Sequence, residues 1–137
     1  MVMKILIVCT GNSCRSQMAE AFFNELDGVE AKSAGTHPEK VNPVAVEVMG
    51  ELGIDISDNQ SNHVDDYTDE SFDYVLTVCD HAERNCPVFP GDWHHIHHAF
   101  RDPAKAEGTE EEVLCVYREV RDEIKDYLPE FLKNVSV

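Results

Sequence analysis

Basic residues are scarce in this chain of 137 residues, and long hydrophobic runs are absent. Eleven lysines and arginines stand against 27 aspartates and glutamates, so the formal net charge is −16 at pH 7. A surface of that sign repels the phosphates of nucleic acids and the headgroups of anionic lipids, so neither is expected as a partner. The longest apolar stretch, residues 5–9, is far too short to cross a bilayer.

An export signal is also missing, because the first residues hold one lysine and a brief apolar run without a small-residue cleavage site. The five cysteines are an odd number, which does not suit a framework of structural disulfides. Both observations favour a reducing compartment, so we expect a cytoplasmic protein whose thiols do chemistry.

The pattern of apolar residues predicts a single α/β domain over residues 1–137. Residues 3–8 form an unbroken β-branched run, which is typical of a strand buried on both faces in a parallel sheet. Further strands are predicted over residues 29–34, 72–78 and 94–99, and helices over 16–26, 43–52 and 109–132. Residues 79–93 are predicted to be a loop, Pro129 to kink the last helix, and Cys115 to lie in the core.

Ligands of parallel sheets bind beyond the carboxyl ends of the strands. The loop C-T-G-N-S-C-R, residues 9–15, leaves the first predicted strand and enters the first helix. Backbone N–H groups at a helix N-terminus have no internal partners and carry positive potential, so they can hold a tetrahedral oxyanion. Arg15 can grip two oxygens of that anion with its planar guanidinium. The same field is expected to lower the pKa of Cys9 and make it a nucleophile at neutral pH.

The predicted oxyanion site consists of Thr10, Gly11, Asn12, Ser13, Cys14, Arg15 and Ser16. Within it, Gly11 permits a tight turn and Asn12 tolerates a left-handed backbone. Ser16 can donate its hydroxyl to the Cys9 thiolate. A buried cysteine beside a surface arginine is the ordinary alternative, but the Gly, Asn and Ser residues of a strand-to-helix loop argue against it. Cys14 is assigned a packing role.

Cys79 and Cys86 follow the third predicted strand, with six residues between them. This spacing suits neither a zinc ribbon nor a thioredoxin-like active site. The two thiols can close as a disulfide only if the intervening loop rearranges. From the spacing alone, two ordinary cysteines, one of them buried at a strand end, are the better interpretation.

Together these motifs resemble the low-molecular-weight protein tyrosine phosphatase family, and in particular its thioredoxin-coupled arsenate reductases. C-x5-R-S after the first strand is the signature of that fold. The longer stretch C-T-G-N-S-C-R-S-Q-M-A-E is close to the motif of the reductases at this position. The similarity continues through residues 33–38, 42–57, 78–90 and 100–104, and it covers nearly the whole chain. It implies a three-layer α/β/α domain with a central four-stranded parallel sheet.

The resemblance implies a relay of three thiols. Cys9 attacks arsenate, Cys79 then attacks Cys9 and expels arsenite, and Cys86 finally attacks Cys79. The resulting Cys79–Cys86 disulfide is reduced by thioredoxin or a similar dithiol donor. A phosphatase needs only Cys9, so the second pair of thiols separates the two activities.

Asp102 precedes Pro103 after the fourth predicted strand. The resemblance implies that its carboxyl acts as a general acid that protonates a leaving oxygen. An Asp-Pro pair is also a good helix start, which is the structural alternative. The positions that follow are Ala104 and Lys105, where phosphatases of this family commonly carry aromatic residues, and this argues against a phosphotyrosine substrate.

Two groups of residues are candidate ion sites. The run H-H-I-H-H at residues 94–98 places at most two or three imidazoles on one face of a strand, so it is interpreted as a surface feature more readily than as a metal site. Some members of the family hold potassium near the thiol loop. The corresponding polar candidates in this chain are Asn12, Glu20, Ser33 and Asp65.

The sequence therefore predicts a cytoplasmic arsenate reductase without a bound organic cofactor, with thioredoxin as external reductant. Phosphate and sulfate are expected as competing oxyanions. A phosphatase acting on protein or small phosphoesters is the first alternative. A non-catalytic sensor of redox state or of oxyanions is the second.

Overall fold

Strands and helices alternate along the chain. The structure, a computed structural model, describes residues 2–84 and 89–135. Within those ranges two 3₁₀ helices cover Val64–Tyr67 and Pro103–Lys105. The strands and α-helices are β1 (Met3–Cys9), α1 (Arg15–Asn24), β2 (Val29–Gly35), α2 (Pro43–Gly50), β3 (Tyr74–Thr77), α3 (Asp80–Arg84), β4 (His94–His97) and α4 (Glu110–Val135).

The four strands form one parallel sheet in the order β2-β1-β3-β4. Ile5, Leu6, Ile7 and Val8 of the inner strand β1 are fully buried. Successive residues of a strand point to opposite faces, so both faces of the sheet are covered. The predicted α/β class with its four-stranded parallel sheet is confirmed.

Local sequence explains where the first two helices lie. In α1 the buried residues include Met18, Phe22 and Phe23, whose spacing places them on one side of the helix. Helix α2 begins where the side chain of Asn42 accepts a hydrogen bond from the Val44 N–H at 2.8 Å, with Pro43 at the first helical position.

Three details differ from the sequence prediction. Residues 80–84, expected in a loop, form the short helix α3 directly after β3. Helix α4 ends at Val135, beyond the predicted end at Leu132, and its fully buried Phe131 packs on Phe23 with ring centroids 5.0 Å apart. The kink at Pro129 stays a prediction. Cys115 is exposed and not in the core. It lies two residues before the buried Tyr117, which places it on nearly the opposite side of the helix.

Within the described ranges, every helix is too short or too polar to cross a membrane.

The segment after β2 holds the loop of residues 9–15 in place. Backbone N–H groups of residues 36, 37, 39 and 42 donate to the carbonyls of residues 9, 10, 11 and 13, at 2.8 to 3.2 Å. In a trans peptide, the N–H of the next residue points the opposite way from the carbonyl. The N–H groups of Thr10, Gly11 and Cys14 are therefore turned away from this segment, where a bound anion could use them.

Gly35, the last residue of β2, permits this close approach. A Cβ atom at Gly35 would lie 2.5 Å from the Thr10 carbonyl oxygen and 3.0 Å from the Asn12 nitrogen, closer than such atoms can stand. We therefore expect Gly35→Ala to displace the loop, to lower the free energy of unfolding by about 1–3 kcal/mol, and to weaken phosphate binding. Urea unfolding and phosphate calorimetry measure the two effects.

Gly50→Ala is the matched control, since nothing lies within 4 Å of a Cβ atom at that position in α2. Alanine is the better helix former, so we expect this variant to be more stable by about 0.5–1 kcal/mol, with unchanged phosphate binding. A Gly35→Ala protein with native stability and native phosphate affinity would contradict the account of the loop.

Candidate active site

A small cavity lies at the carboxyl edge of the sheet, where the residue 9–15 loop enters α1. Its volume is about 140 Å³, which suits a small anion better than a drug-sized ligand, whose pockets start at about 300 Å³. The cavity is lined by Cys9, Thr10, Gly11, Ser13, Cys14, Arg15, Glu39, Asp102 and Ala104. Five of the seven predicted oxyanion-site residues are among them.

The other two residues of that set, Asn12 and Ser16, are buried beneath the loop. Asn12 has the predicted left-handed backbone, with φ at 50°. Its Nδ2 donates to the Ser16 hydroxyl at 2.8 Å, its Oδ1 accepts from the Asn62 N–H at 2.9 Å, and its carbonyl accepts from Gln17 Nε2 at 3.0 Å. These bonds support the loop from inside. The donation of the Ser16 hydroxyl to Cys9 stays a prediction.

Arg15 connects the loop to the segment after β4. One guanidinium nitrogen donates to the Phe100 carbonyl at 3.1 Å, and the other lies 3.7 Å from Oδ2 of Asp102. Only 11% of the Arg15 side chain is exposed. These contacts hold the guanidinium at the cavity wall, in a position from which it can also bind an anion.

Asp102 caps a helix and also lines the cavity. Its Oδ1 accepts a hydrogen bond from the Ala104 N–H at 3.0 Å, so the residue caps the 3₁₀ helix that begins at Pro103. Its Oδ2 faces Arg15 at the cavity. One oxygen therefore fixes the carboxyl group, and the other can exchange a proton with a bound molecule. Ala104 leaves this wall small and without an aromatic ring.

Cys79 lies beside Cys9, because β3 and β1 are neighbours in the sheet. Its Sγ is 3.2 Å from the Thr10 hydroxyl, and both cysteines are free thiols. A hydrogen bond from Cys9, together with bonds from Thr10 and the Ala82 N–H, lowers the pKa of Cys79 to about 5 against the opposing effect of burial.

The pKa of Cys9 is shifted in the other direction. Its hydrogen bond to Cys79 and its burial raise the pKa well above the ordinary value, and the charge of Arg15 offsets this only in part. The prediction of a lowered Cys9 pKa is therefore wrong while both thiols are reduced. Because the two shifts have opposite directions, the two sulfurs share one proton, and their contact favours the thiolate at Cys79.

Cys14 is buried at the start of α1, in keeping with its predicted packing role. Burial raises its pKa, and its Sγ lies 3.6 Å from the Ser13 hydroxyl. Tyr117 of α4 packs against it, and burial is the main cause that raises the pKa of this phenol to about 12. The predicted third thiol of the relay, Cys86, lies outside the described residues.

The potassium candidates are only partly brought together. Glu20 and Ser33 are neighbours, and burial raises the pKa of Glu20 while Ser33 lowers it in part. Asp65 is exposed and faces His63, whose Nδ1 is 3.5 Å from its carboxylate. In the part of the chain that the structure describes, no three His, Cys, Asp or Glu side chains are grouped so that they could hold a metal ion.

The histidines of β4 make hydrogen bonds to the end of β3 and to the start of α3. His95 Nε2 and His97 Nδ1 both contact the Thr77 hydroxyl, at 2.9 and 2.8 Å, and His97 Nε2 lies 3.0 Å from Asp80. His98 stacks on Tyr127 with ring centroids 4.0 Å apart. Two imidazoles thus share a face, as the strand pattern predicts.

Sequence reasoning missed two cavity contacts. Glu39 lines the cavity although it falls between the two similar stretches at residues 33–38 and 42–57. Thr10 was predicted as an oxyanion ligand, but its hydroxyl also contacts Cys79. Only the order of the strands could have indicated either contact.

Known proteins share this fold and loop. The family model described as low molecular weight phosphotyrosine protein phosphatase matches residues 4–137. The chain is 47% identical over 132 residues to an arsenate reductase of Halalkalibacterium halodurans, with 95% of each chain covered. A solved structure of an arsenate reductase in the phosphate binding state has 30% identity and a TM-score of 0.75, with 98% of this chain and 100% of the other covered. A low molecular weight protein tyrosine phosphatase from T. tengcongensis has 29% identity and a TM-score of 0.78, with 97% and 99% covered.

The shared proton predicts how the thiols titrate. We expect Cys79→Ser to remove the thiolate that forms at a pH of about 5, and to lower the pKa of Cys9, because the largest cause that raises it is gone. Pulsed alkylation over a pH series, with each cysteine peptide quantified by mass spectrometry, reports both transitions.

Cys115→Ser is the control for this titration, since Cys115 is exposed on α4 and should leave both transitions where they are. If the Cys79→Ser protein still formed a thiolate at a pH of about 5, the assignment of the charge to Cys79 would be wrong.

Proposed function

The chain belongs to the low molecular weight phosphotyrosine protein phosphatase family, and we propose that it acts within that family as an arsenate reductase. The observation that carries this function is the second thiol: Cys79 is held against Cys9 beside the anion cavity. A phosphatase does not use such a partner. The family prediction is confirmed, and so is that of an enzyme over a non-catalytic sensor, since the relatives are arsenate reductases.

Arsenate binds in the cavity, where Arg15 and the N–H groups of the loop face its oxygens. The Cys9 sulfur forms a bond to arsenic as an arsenic–oxygen bond breaks, and the leaving oxygen departs as water. Asp102 supplies a proton to that oxygen, since its Oδ2 is directed toward the site. The proton that Cys9 gives up is taken by the neighbouring Cys79 thiolate or passes to solvent.

Reduction follows when the Cys79 thiolate attacks the Cys9 sulfur. A disulfide forms, the bonding pair of electrons returns to arsenic, and arsenic(V) leaves as arsenite. The two residues are already in contact in the reduced protein, so this attack requires little movement of either side chain. Any proton that Cys79 has taken from Cys9 passes to solvent before this step, and the bonds from Thr10 and the Ala82 N–H still favour the ionised form of Cys79.

Recycling is the role proposed for Cys86. Its thiolate attacks Cys79 and releases Cys9, and an external dithiol of the thioredoxin type then reduces the Cys79–Cys86 disulfide. Two electrons enter from that dithiol in each cycle, which balances the two delivered to arsenic. Free thiols that must stay reduced favour a reducing compartment such as the cytoplasm. Phosphate is the proposed competing oxyanion.

A potassium ion is proposed near the loop, held by oxygens of Glu20 and Ser33 with help from Asn12 and Asp65. Its chemistry would be a positive charge that supports the loop beneath the anion. The adjacency of Glu20 and Ser33 supports this proposal, whereas the exposed position of Asp65 does not.

Phosphoester hydrolysis is the second candidate. Cys9, Arg15 and Asp102 form the set that a phosphatase of this family needs, and the protein is similar to a solved phosphatase. The small side chain of Ala104 provides no aromatic wall against a substrate ring. We therefore expect phosphatase activity to be weak.

The relay is tested by reduction of arsenate in the presence of thioredoxin, thioredoxin reductase and NADPH. We expect Cys9→Ser, Cys79→Ser and Cys86→Ser each to abolish steady NADPH consumption, because each removes one exchange step. Cleavage of p-nitrophenyl phosphate should survive in Cys79→Ser and Cys86→Ser and vanish in Cys9→Ser. Cys115→Ser controls for the loss of a thiol. Undiminished NADPH consumption by Cys86→Ser would overturn the relay.

Asp102→Asn tests the general acid. We expect phosphoester cleavage to fall by about 10²–10⁴-fold, since the amide cannot protonate a leaving oxygen. The amide can still cap the helix at Pro103, so urea unfolding should change little. If Asp102 is a general acid, the effect should be smaller for an ester whose leaving group needs no protonation. A residue that acts only as a helix cap would not distinguish between the two kinds of ester. An equal loss for all esters, with lowered stability, would reduce Asp102 to a cap.

A further inference from the structure

The charges around the anion cavity are unusual for a site that takes anions. Among the described residues that line it, Arg15 is the single cation, whereas Glu39 and Asp102 are both acidic. The negative charge of the Asp102 carboxylate is compensated, because one oxygen accepts a hydrogen bond from the Ala104 N–H and the other faces Arg15. Glu39 therefore contributes the less compensated negative charge.

Backbone contacts fix Glu39 over the loop. Its N–H donates to the Gly11 carbonyl at 2.8 Å, and its own carbonyl accepts from the Ser61 hydroxyl. A Cβ atom at Gly11 would lie 3.5 Å from Oε2 of Glu39. The backbone of Glu39 is thus fixed beside Gly11, and its carboxylate lies at the cavity, although the residue as a whole is exposed.

A carboxylate at this point distinguishes oxyanions by their protons. An ionised carboxylate only accepts hydrogen bonds, so it attracts an oxygen that carries a proton and repels one that does not. At neutral pH, arsenate and phosphate keep a proton on at least one oxygen, whereas sulfate keeps none. The cavity volume and Arg15 are the same for all three anions. The Glu39 carboxylate is therefore the group that can discriminate between them.

We propose that Glu39 makes this site select protonated oxyanions, so that arsenate and phosphate bind and sulfate is rejected. The inference rests on the proposed function, in which the cavity binds arsenate. It departs from the expectation that sulfate competes as phosphate does. The selectivity arises because Glu39 weakens the binding of sulfate, and not because it strengthens the binding of arsenate or phosphate.

The test measures phosphate and sulfate binding to the reduced protein by calorimetry at pH 7 and constant ionic strength. We expect the wild type to bind phosphate more tightly than sulfate. In Glu39→Gln the sulfate affinity should rise by about tenfold, because the repulsion is gone and the amide can donate, while the phosphate affinity changes much less. Glu47→Gln, an exposed position in α2, makes the same change of charge away from the cavity and should behave as wild type.

A pH series adds a second readout. As pH rises and phosphate loses its next proton, the preference of the wild type for phosphate should shrink, whereas sulfate binding should change little over the same range. In Glu39→Gln the phosphate curve should be flatter than in the wild type. A structural effect of the substitution would not depend on the protonation of the ligand.

The outcomes separate this inference from the proposed function. Equal affinities of the wild type for phosphate and sulfate, or an unchanged ratio in Glu39→Gln, would overturn the role of Glu39 even if arsenate is reduced normally. Phosphate selectivity that depends on Glu39, in a protein that does not reduce arsenate with thioredoxin, would support the inference about binding and overturn the proposed reductase.

Discussion

The hydrogen bonds between the residue 36–42 segment and the residue 9–15 loop are the constraint on which the site depends. They fix the direction of the loop peptides, and so turn the N–H groups of Thr10, Gly11 and Cys14 toward the side where an anion can bind. Gly35 allows the two segments to come this close. The site is therefore built by two strand ends of one sheet, and neither the loop nor the cysteine suffices alone.

A protein with a net charge of −16 attracts anions only through a local field. Salt screens the acidic surface within about 10 Å, whereas a buried guanidinium and oriented peptide dipoles act at contact distance. Arg15 is mostly buried, and it also holds the carbonyl of Phe100 and faces Asp102. In the proposed mechanism Arg15, which would bind the anion, therefore also positions the proposed acid, Asp102, beside it.

The architecture could be predicted from the sequence because two features each have one physical interpretation. The apolar run of β1 indicates a strand buried in a parallel sheet, and the C-x5-R-S loop indicates an anion-binding turn between a strand and a helix. The buried β1, the sheet class and the left-handed Asn12 followed from local chemistry. What it could not show depends on which strands are neighbours. The contact of Cys79 with Cys9, which reverses the expected pKa of Cys9, arises only because β3 pairs with β1. The exposure of Cys115 depends in the same way on which side of α4 meets the core.

In the proposed relay, the shared proton explains how one pair of thiols can serve two steps in order. Before the anion reacts, Cys9 donates its hydrogen bond to the Cys79 thiolate, and this contact is the main cause of the low pKa of Cys79. A sulfur with a low pKa is ionised but is a modest nucleophile. Once Cys9 is bonded to arsenic it has no proton to donate, so the Cys79 sulfur becomes more basic and more nucleophilic at the moment when its attack is required. A lone nucleophile, which is all that a phosphatase needs, has no such coupling between its first and second steps.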